Sequence, residues 1–279
     1  MQRLGWLLAA ALMIGAGFAA ASALWGEWDA LTGRPLAYAD ARRVCLLRAW
    51  DETLQRETFD MPLAAFLTLA PEASSFEHLA AYRYWSAGFA RDGRRERVQA
   101  YRVTADMFPL LGIAPLLGRT LQPADARALA PKVAVLSHDF WLRRFGGAAD
   151  VLGRELRLDG EPHVIVGVMP ARFEFPLDSF KGELWTPLAV DAAAALRDPG
   201  SAGTVVAIGR LRAGRSTRAA EAEVRAALAR HAARDRGAFR SLAVRVIPLE
   251  ELRSAGAAAG LRLARWALAA QVGGATLFQ

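Results

Sequence analysis

The sequence predicts an α+β protein with one N-terminal transmembrane helix and a split β-α-β domain that carries an inserted hairpin-rich subdomain. Three observations support this prediction: an apolar segment at the start of the chain, a β-α-β pattern near its end, and a region rich in turn signals between them. The chain has 279 residues, of which 53% are apolar and 23% charged. This composition is sufficient for a buried hydrophobic core and excludes a disordered or fibrous protein.

The apolar N-terminal segment predicts a membrane anchor. Residues 4–25 contain no ionisable side chain, and a helix of this length is about 33 Å long, enough to cross a bilayer. Arg3 precedes the segment whereas Glu27 and Asp29 follow it, which places the N-terminus in the cytoplasm and the rest outside. A cleaved signal peptide ending near Ala21-Ser22-Ala23 is the alternative. Under both interpretations the rest of the chain is exported from the cytoplasm.

Residues 27–104 predict the first part of the split domain. An apolar, strand-like segment lies at 42–50, and a short helix is predicted at 61–70. Two strands are predicted at 76–90 and 96–104, the second with apolar residues at a period of two. The domain therefore begins with the order β-α-β-β.

Residues 105–200 are rich in turn signals and predict the inserted subdomain. A buried-strand pattern leads to Ser137, which is placed to cap a short helix at 139–145. Gly146-Gly147 follows this helix and ends it. Asp159-Gly160 lies between two segments of alternating apolar residues and is the strongest hairpin signal in the chain.

Residues 201–252 complete the split domain with a β-α-β unit. Strands predicted at 204–211 and 242–249 flank an amphipathic helix at 216–233. A unit of this length implies a right-handed crossover and parallel strands. The helix has an apolar face made by Ala220, Val224, Ala227, Leu228 and His231, and a charged face made by Arg218, Glu221 and Arg225.

The C-terminal residues 253–279 form an apolar tail that is interrupted by Arg262 and Arg265. The stretch 266–278 has 13 residues, about 20 Å of helix, which is too short to cross a bilayer by itself. We therefore expect either a docked amphipathic helix or an incomplete second transmembrane helix.

The net charge of +7 does not indicate a nucleic-acid partner. Arg3, Arg262 and Arg265 lie at the apolar ends, and taking these three from 35 basic residues leaves 32 against 28 acidic ones. The middle of the chain then carries about +4, which is ordinary for a soluble surface. The single cysteine, Cys45, excludes an internal disulfide framework and a Cys-based zinc cluster. We expect Cys45 to be a core residue.

Motifs for catalysis and cofactor binding are not found in the sequence. Ser137-His138-Asp139 has the residue types of a hydrolase triad, but a triad needs side chains that converge from separate parts of the fold. No glycine-rich phosphate-binding motif occurs, so any ATP is expected on a partner subunit. We therefore predict no enzyme activity and no catalytic, cofactor-binding or metal-binding residues. The four histidines, which show neither i,i+4 pairing nor a carboxylate at ligand spacing, are His78, His138, His163 and His231.

A group of aromatic residues allows two interpretations. It could line an apolar ligand groove, but at strand spacing a core or a subdomain interface is the favoured one. Neither interpretation predicts which residues bind a substrate. The group consists of Phe76, Tyr82, Tyr84, Trp85 and Phe89.

A series of short motifs occurs in order between residues 30 and 252. They are RPLAYAD at 34–40, SFE at 75–77, VTADMFPLLG at 103–112, LGR at 117–119, VAVLS at 133–137, FWLRRFGG at 140–147, LGR at 152–154, VIVGVMP at 164–170 and ELWTP at 183–187. In their order and spacing the chain resembles the MacB-like periplasmic core domain of ABC transporter permeases, in the FtsX-type permease superfamily.

The resemblance implies an anchor at 1–26, a porter-like or ferredoxin-like periplasmic domain at 27–104 and 201–252, and an inserted subdomain at 105–200. It further implies a protein of the inner membrane that does not catalyse a reaction itself. A partner cytoplasmic ABC ATPase binds and hydrolyses ATP, and the periplasmic domain couples hydrolysis to substrate export or release. A homodimer or paired permease, the lipid bilayer and a periplasmic adaptor are the further partners that the resemblance suggests.

The sequence departs from the family pattern after residue 252. Members continue with a long apolar helix and two further spans, whereas this sequence has the short tail at 253–279. A truncated or degenerate permease is one expectation. The alternative is a membrane-anchored periplasmic binding or assembly module without transport activity of its own. A secreted enzyme would need both signal cleavage and a catalytic constellation.

Overall fold

A mixed, 12-stranded sheet organises the described part of the chain. The structure, a computed structural model, describes residues 38, 40–51, 56–58, 60–91, 94–171, 173, 175, 182–234 and 242–252. The strands are β1 Val44–Asp51, β2 Arg56–Thr58, β3 Met61–Pro62, β4 Phe76–Arg91, β5 Arg94–Val103, β6 Leu117–Gly118, β7 Val133–Leu136, β8 Glu155–Leu158, β9 Glu161–Val168, β10 Leu184–Pro187, β11 Thr204–Leu211 and β12 Leu242–Pro248. The α-helices are α1 Leu63–Leu69, α2 Met107–Leu111, α3 His138–Phe145, α4 Ala192–Arg197 and α5 Thr217–Arg234. The fold is therefore α+β, as predicted.

One half of the sheet has the strand order β12-β1-β11-β4. Strands β11 and β12 each pair antiparallel with β1, so they run parallel to each other on either side of it. Side chains from α1, α4 and α5 pack on this half and form a hydrophobic cluster that we call the first core. Its members include Cys45, Phe66, Ala195, Val224 and Leu228.

Helix α5 buries the apolar face that its sequence predicts. Ala220, Val224, Ala227 and Leu228 are all buried. Glu221 and Arg225 form an ion pair of 2.7 Å beside this face, and Glu221 Oε2 also accepts a hydrogen bond of 3.2 Å from the Val246 N–H on β12. His231 differs from this prediction because it is only half-buried and lies 2.7 Å from a carboxylate oxygen of Glu72. The histidine thus belongs to a polar contact at the rim of the helix.

Six strands at the other end of the sheet close into a ring. The order around the ring is β4, β5, β10, β7, β9 and β8, and β8 returns to β4 through the pair Phe89 and Leu158. Inward-facing apolar side chains of these strands form the second core, into which α3 inserts the fully buried Phe140. The second core includes Ala87, Phe89, Val98, Ala100, Leu136, Leu156, Leu158, Ile165 and Leu184.

Strand β4 belongs to both halves of the sheet. It has 16 residues, about 50 Å at strand rise, and it pairs with β5 over its outer part. Its first residues, Phe76 to Tyr82, pair with β11 of the first half, whereas Phe89 pairs with β8 of the ring. The β4–β5 hairpin is therefore the structural link between the two cores.

Local turn and cap signals are confirmed. Ser137 Oγ accepts a hydrogen bond of 3.2 Å from the Phe140 N–H, so Ser137 caps α3. Gly146 adopts a left-handed conformation directly after the helix, with φ of 62°. Asp159 and Gly160 have φ of 49° and 86°, as a two-residue hairpin turn between β8 and β9 requires.

The chain enters and leaves the compact unit Ala37–Leu249 at one end of the sheet. Cys45, near the start of β1, lies opposite Pro248 at the end of β12. The predicted anchor at 1–26 and the apolar tail at 253–279 lie outside the described residues. Among the described residues, no helix is both long enough and apolar enough to cross a membrane.

Candidate functional site

The aromatic residues singled out in the sequence are divided among three environments. Phe76 is buried in the first core, and Phe89 lies inside the ring, in the second core. Tyr82 and Tyr84 point to one face of the β4–β5 hairpin, and Trp85 points to the other. The stretch between the two cores therefore carries aromatic side chains on both faces.

One face of this stretch holds an aromatic cluster. Tyr101 contacts Tyr82 and Tyr84 edge to face, with ring centroids 5.8 Å apart in each pair. The ring centroids of Phe175 and Tyr101 are 4.6 Å apart, and those of Phe175 and Trp185 are 6.0 Å apart. Tyr84 is 46% exposed, whereas Tyr101 and Trp185 are buried. The cluster is thus accessible at Tyr84.

Sequence reasoning missed Tyr101, Phe175 and Trp185 as members of this cluster. Tyr101 lies on β5, Phe175 in the segment before β10, and Trp185 on β10. Only the parallel pairing of β10 with β5 brings Trp185 beside Tyr101. The motif ELWTP at 183–187 was an available signal, since its tryptophan occupies this position.

The opposite face carries two arginines and a tryptophan, Arg83, Trp85 and Arg102, which we call the junction face. Arg83 and Arg102 are opposite each other on β4 and β5. The Arg102 guanidinium lies over the Trp85 ring, 4.3 Å from its centroid. The indole N–H of Trp85 donates to Asp159 Oδ2 at 3.1 Å. The junction face is therefore bordered by the β8–β9 turn.

The charged groups beside the junction face are held by their own partners. Lys132 pairs with Glu161, and this hydrogen bond lowers the pKa of the Glu161 carboxyl, which the more distant Arg102 lowers further. His163 is buried and its Nδ1 lies 3.0 Å from the Glu161 carbonyl oxygen. Burial lowers the pKa of His163, so the folded state favours its neutral imidazole.

A second polar group lies at the end where the chain enters the sheet. Arg43 donates to Asp40 Oδ2 at 2.6 Å and to Glu77 Oε2 at 2.8 Å. Arg210 is 4% exposed, and its Nε donates to the carbonyl oxygen of Leu110 at 2.6 Å. Burial lowers the pKa of the Arg210 guanidinium, and the charge of Arg43 lowers it further. These contacts tie the entry segment, α2 and β11 together.

The Ser137-His138-Asp139 triplet forms a helix cap in the structure. The Ser137 hydroxyl oxygen accepts a hydrogen bond from the backbone N–H of Phe140. His138 Nδ1 is 4.0 Å from Asp139 Oδ1, and its ring packs edge to face on Trp141 with centroids 5.5 Å apart. The serine and the histidine thus have separate structural contacts, as expected for capping.

Two of the four histidines contact carboxylates that are distant in the sequence. His231 contacts Glu72, as described above, and His78 Nδ1 lies 3.5 Å from Asp106 Oδ1. Both carboxylates are distant in sequence, so spacing could not reveal them. Within the described residues, no three His, Cys, Asp or Glu side chains come together in a geometry that could hold a metal ion.

A known family matches most of the chain. The family described as "MacB-like periplasmic core domain" matches residues 6–227. No curated protein matches the chain.

Two solved structures have a similar fold. The first is a domain of a putative permease protein from Porphyromonas gingivalis, with a TM-score of 0.57 and 16% identity over 77% of this chain and 92% of that domain. The second is the periplasmic region of MacB from Actinobacillus actinomycetemcomitans, with a TM-score of 0.54 and 13% identity over the same shares. At these identities the likeness concerns the fold alone.

Proposed function

The chain belongs to the MacB-like periplasmic core domain family, and from this premise we propose that it couples ATP hydrolysis to substrate export or release across the envelope. A partner cytoplasmic ABC ATPase binds and hydrolyses ATP, and this chain supplies the periplasmic region of the permease. It has no enzyme activity and no cofactor of its own. The observation that carries the proposal is the family match over residues 6–227.

The positions at which the chain enters and leaves the sheet support this proposal. The pair Cys45 and Pro248 puts the start of β1 and the end of β12 side by side. A periplasmic domain inserted between two membrane segments needs its ends at one side, because both segments start from the same membrane surface. The proposed arrangement has the N-terminus in the cytoplasm and the described domain in the periplasm.

The continuity of β4 supports a mechanical role. The strand starts at the entry end, near the contacts of Arg43 and Glu77, and extends about 50 Å into the ring. Backbone hydrogen bonds join it to β11 in the first half and to β5 along its outer part. A displacement at the entry end is thus passed to the ring by a stiff element. In a homodimer or a paired permease, the two rings would move together, and a periplasmic adaptor could respond to them.

Co-purification from native membranes tests the proposal. The full chain with an affinity tag is extracted in detergent, and we expect an ABC ATPase to co-purify and ATP hydrolysis to be inhibited by vanadate. A matched control carries the same termini, with residues 38–252 replaced by an unrelated periplasmic domain. We expect this control to remain in the membrane but to lose the substrate-dependent part of the ATPase activity.

A membrane-retained chain that associates with no ATPase would contradict the transport proposal and favour the anchored binding or assembly module. The proposed orientation is tested separately with Leu129→Cys, because Leu129 is 99% exposed. A membrane-impermeant maleimide should label this variant in cells whose outer membrane has been permeabilised. Labelling only after the inner membrane is broken would place the domain in the cytoplasm and contradict the proposed localisation.

A further inference from the structure

Two guanidinium groups lie side by side on the junction face. Arg83 and Arg102 are directly opposite each other in the β4–β5 register, so their Cβ atoms are about 5 Å apart on the same face. Like charges at such positions repel unless an opposite charge lies between them. Among the described residues, neither arginine forms an ion pair with a carboxylate. This position therefore carries two guanidinium groups, neither of which is hydrogen-bonded to a carboxylate in the described part of the chain.

Arg83 is held in place by backbone groups of the first half. Its Nε donates to the Thr204 carbonyl oxygen at 2.9 Å, and its Nη2 donates to the Ala202 carbonyl oxygen at 3.0 Å. Gly203, between these two residues, leaves room for the guanidinium, because a Cβ there would lie 3.2 Å from Nη2. Neutral carbonyl oxygens orient Arg83 without cancelling its charge, and Nη1 remains available.

Arg102 is exposed and oriented by stacking. Its guanidinium lies 4.3 Å from the Trp85 ring centroid, and the indole is itself fixed by its hydrogen bond to Asp159. An arginine stacked on an aromatic ring keeps the N–H groups at its edge free for a planar acceptor. Since the side chain is already ordered, binding costs less conformational entropy than it would for a free surface arginine.

Three carboxylates that border the junction face have partners of their own: Asp60, Asp159 and Glu161. Asp60 Oδ2 accepts a hydrogen bond of 3.3 Å from the Thr204 hydroxyl. Both oxygens of Asp159 accept hydrogen bonds, Oδ1 from the Gly88 N–H at 2.8 Å and Oδ2 from Trp85. Glu161 is paired with Lys132. These acids border the site, but they do not occupy the space between the two arginines.

We infer that Arg83 and Arg102 bind an oxyanion, a carboxylate or a phosphate group of a ligand, between the first core and the ring. Arg102 offers the edge of its guanidinium and Arg83 its free Nη1, and Trp85 provides an apolar flank for the part of the ligand next to the anion. Arg83 is tied to the β11 side of the junction, and Trp85 is tied to the β8–β9 turn. An anion held by both arginines would therefore join the two halves. This site goes beyond the proposed transport role and does not depend on an ATPase partner.

Indole NMR of the full chain tests this inference. The protein is labelled with ¹⁵N-tryptophan in detergent micelles, and the Trp85 signal is assigned by its absence in Trp85→Phe. Inorganic phosphate and succinate are titrated separately, with sodium chloride at matched ionic strength as the screening control. We expect a saturable shift of the Trp85 indole signal with phosphate, succinate or both, and the comparison shows which oxyanion is preferred.

Two arginine variants make the test specific. Arg102→Gln should weaken binding at least tenfold, whereas Arg97→Gln, an exposed arginine on the opposite face of β5, should leave it unchanged. Because Arg102 is exposed, its loss should not unfold the chain, and the other indole signals verify this. An equal shift with sodium chloride, no saturable shift with either oxyanion, or equal affinity in Arg102→Gln would each overturn the inference.

Discussion

Asp159 closes the ring of strands on Gly88. The Asp159 N–H donates to the Gly88 carbonyl oxygen at 2.7 Å, and Asp159 Oδ1 accepts from the Gly88 N–H at 2.8 Å. The turn residue thus satisfies both backbone groups of Gly88 next to the strand pair Phe89 and Leu158. A side-chain carboxylate takes the place of a further strand residue at this edge of β4.

We predict that Asp159 and Gly88 are energetically coupled. Asp159→Ala removes the two side-chain hydrogen bonds, from the Gly88 N–H and from the Trp85 indole, and should lower the free energy of unfolding by about 1–2 kcal/mol. Gly88→Ala should also destabilise the chain, because its Cβ would lie 2.8 Å from Asp159 Oδ1. Urea unfolding of the full chain in detergent measures both effects. In the double variant the Gly88→Ala penalty should largely disappear, and strict additivity would contradict the coupling.

Buried Arg210 should contribute more to stability than exposed Arg212. Arg210→Ala leaves the carbonyl oxygens of Leu110 and Asp40 without this donor and creates a cavity. We expect the free energy of unfolding to fall by roughly 2–4 kcal/mol. Arg212→Ala removes one exposed bond to the Ser74 carbonyl oxygen and should cost less than about 1 kcal/mol. Equal losses in thermal unfolding would show that the buried contacts of Arg210 are not stabilising.

The Arg119–Asp125 pair predicts a loss of stability in acid. Arg119 binds the carboxylate with both Nη atoms, at 2.7 and 2.9 Å, and the Gln122 N–H donates to it at 2.8 Å. Burial alone would raise the pKa of Asp125, but these hydrogen bonds outweigh it and hold the pKa below its ordinary value. The folded state therefore favours the ionised form, and the stabilisation is present above the unfolded pKa of about 4 and lost as pH falls through the folded value.

Asp125→Asn should accordingly lower the free energy of unfolding by about 1–3 kcal/mol at pH 7, and the difference from the unmodified chain should shrink below about pH 4. Asp150→Asn serves as the control, since Asp150 forms an exposed ion pair with Arg154 and its loss should have little effect. A difference that persists unchanged at pH 3 would count against ionisation of Asp125 as the cause.

Cys45 should not react in the folded chain. It is fully buried on β1, and burial raises the pKa of its thiol to about 12, so almost no thiolate is present at pH 8. Reaction with Ellman's reagent should occur only after denaturation, whereas Leu129→Cys should react at once. The neutral thiol is favoured in the folded state, so its contribution to stability should decline as pH rises from about 9 towards 12. Rapid native labelling of the unmodified chain would contradict this burial.

We predict that Ser137 stabilises the fold and takes no part in catalysis. Ser137→Ala removes the cap of α3 and should lower stability by about 1 kcal/mol, whereas Ser137→Asp should retain most of it. Neither change should alter any transport activity. Hydrolytic activity that disappears in Ser137→Ala at unchanged stability would revive the enzyme interpretation.

Local patterns predicted most of the elements around the site. The amphipathic spacing of α5, the Ser137 cap and the Asp159-Gly160 turn each follow from interactions within a few residues, so the sequence reveals them directly. The partners of Glu72 and Arg83 could not be predicted, because they come from segments more than 100 residues away. The bounds 27–104, 105–200 and 201–252 remain predictions.

The sequence by itself determined the α+β class, individual elements such as β4, β5, α3 and α5, and the family resemblance, because periodicity, caps and motifs are local or ordered along the chain. It did not reveal α2, α4 or β10. The tertiary structure decided that the strands of the second half close into a ring through Asp159 and Gly88, and that Arg83 and Arg102 share one face. Both relationships depend on which strands pair and in what register. Register is set by the packing of both cores at once, a long-range condition that no single segment of the sequence contains.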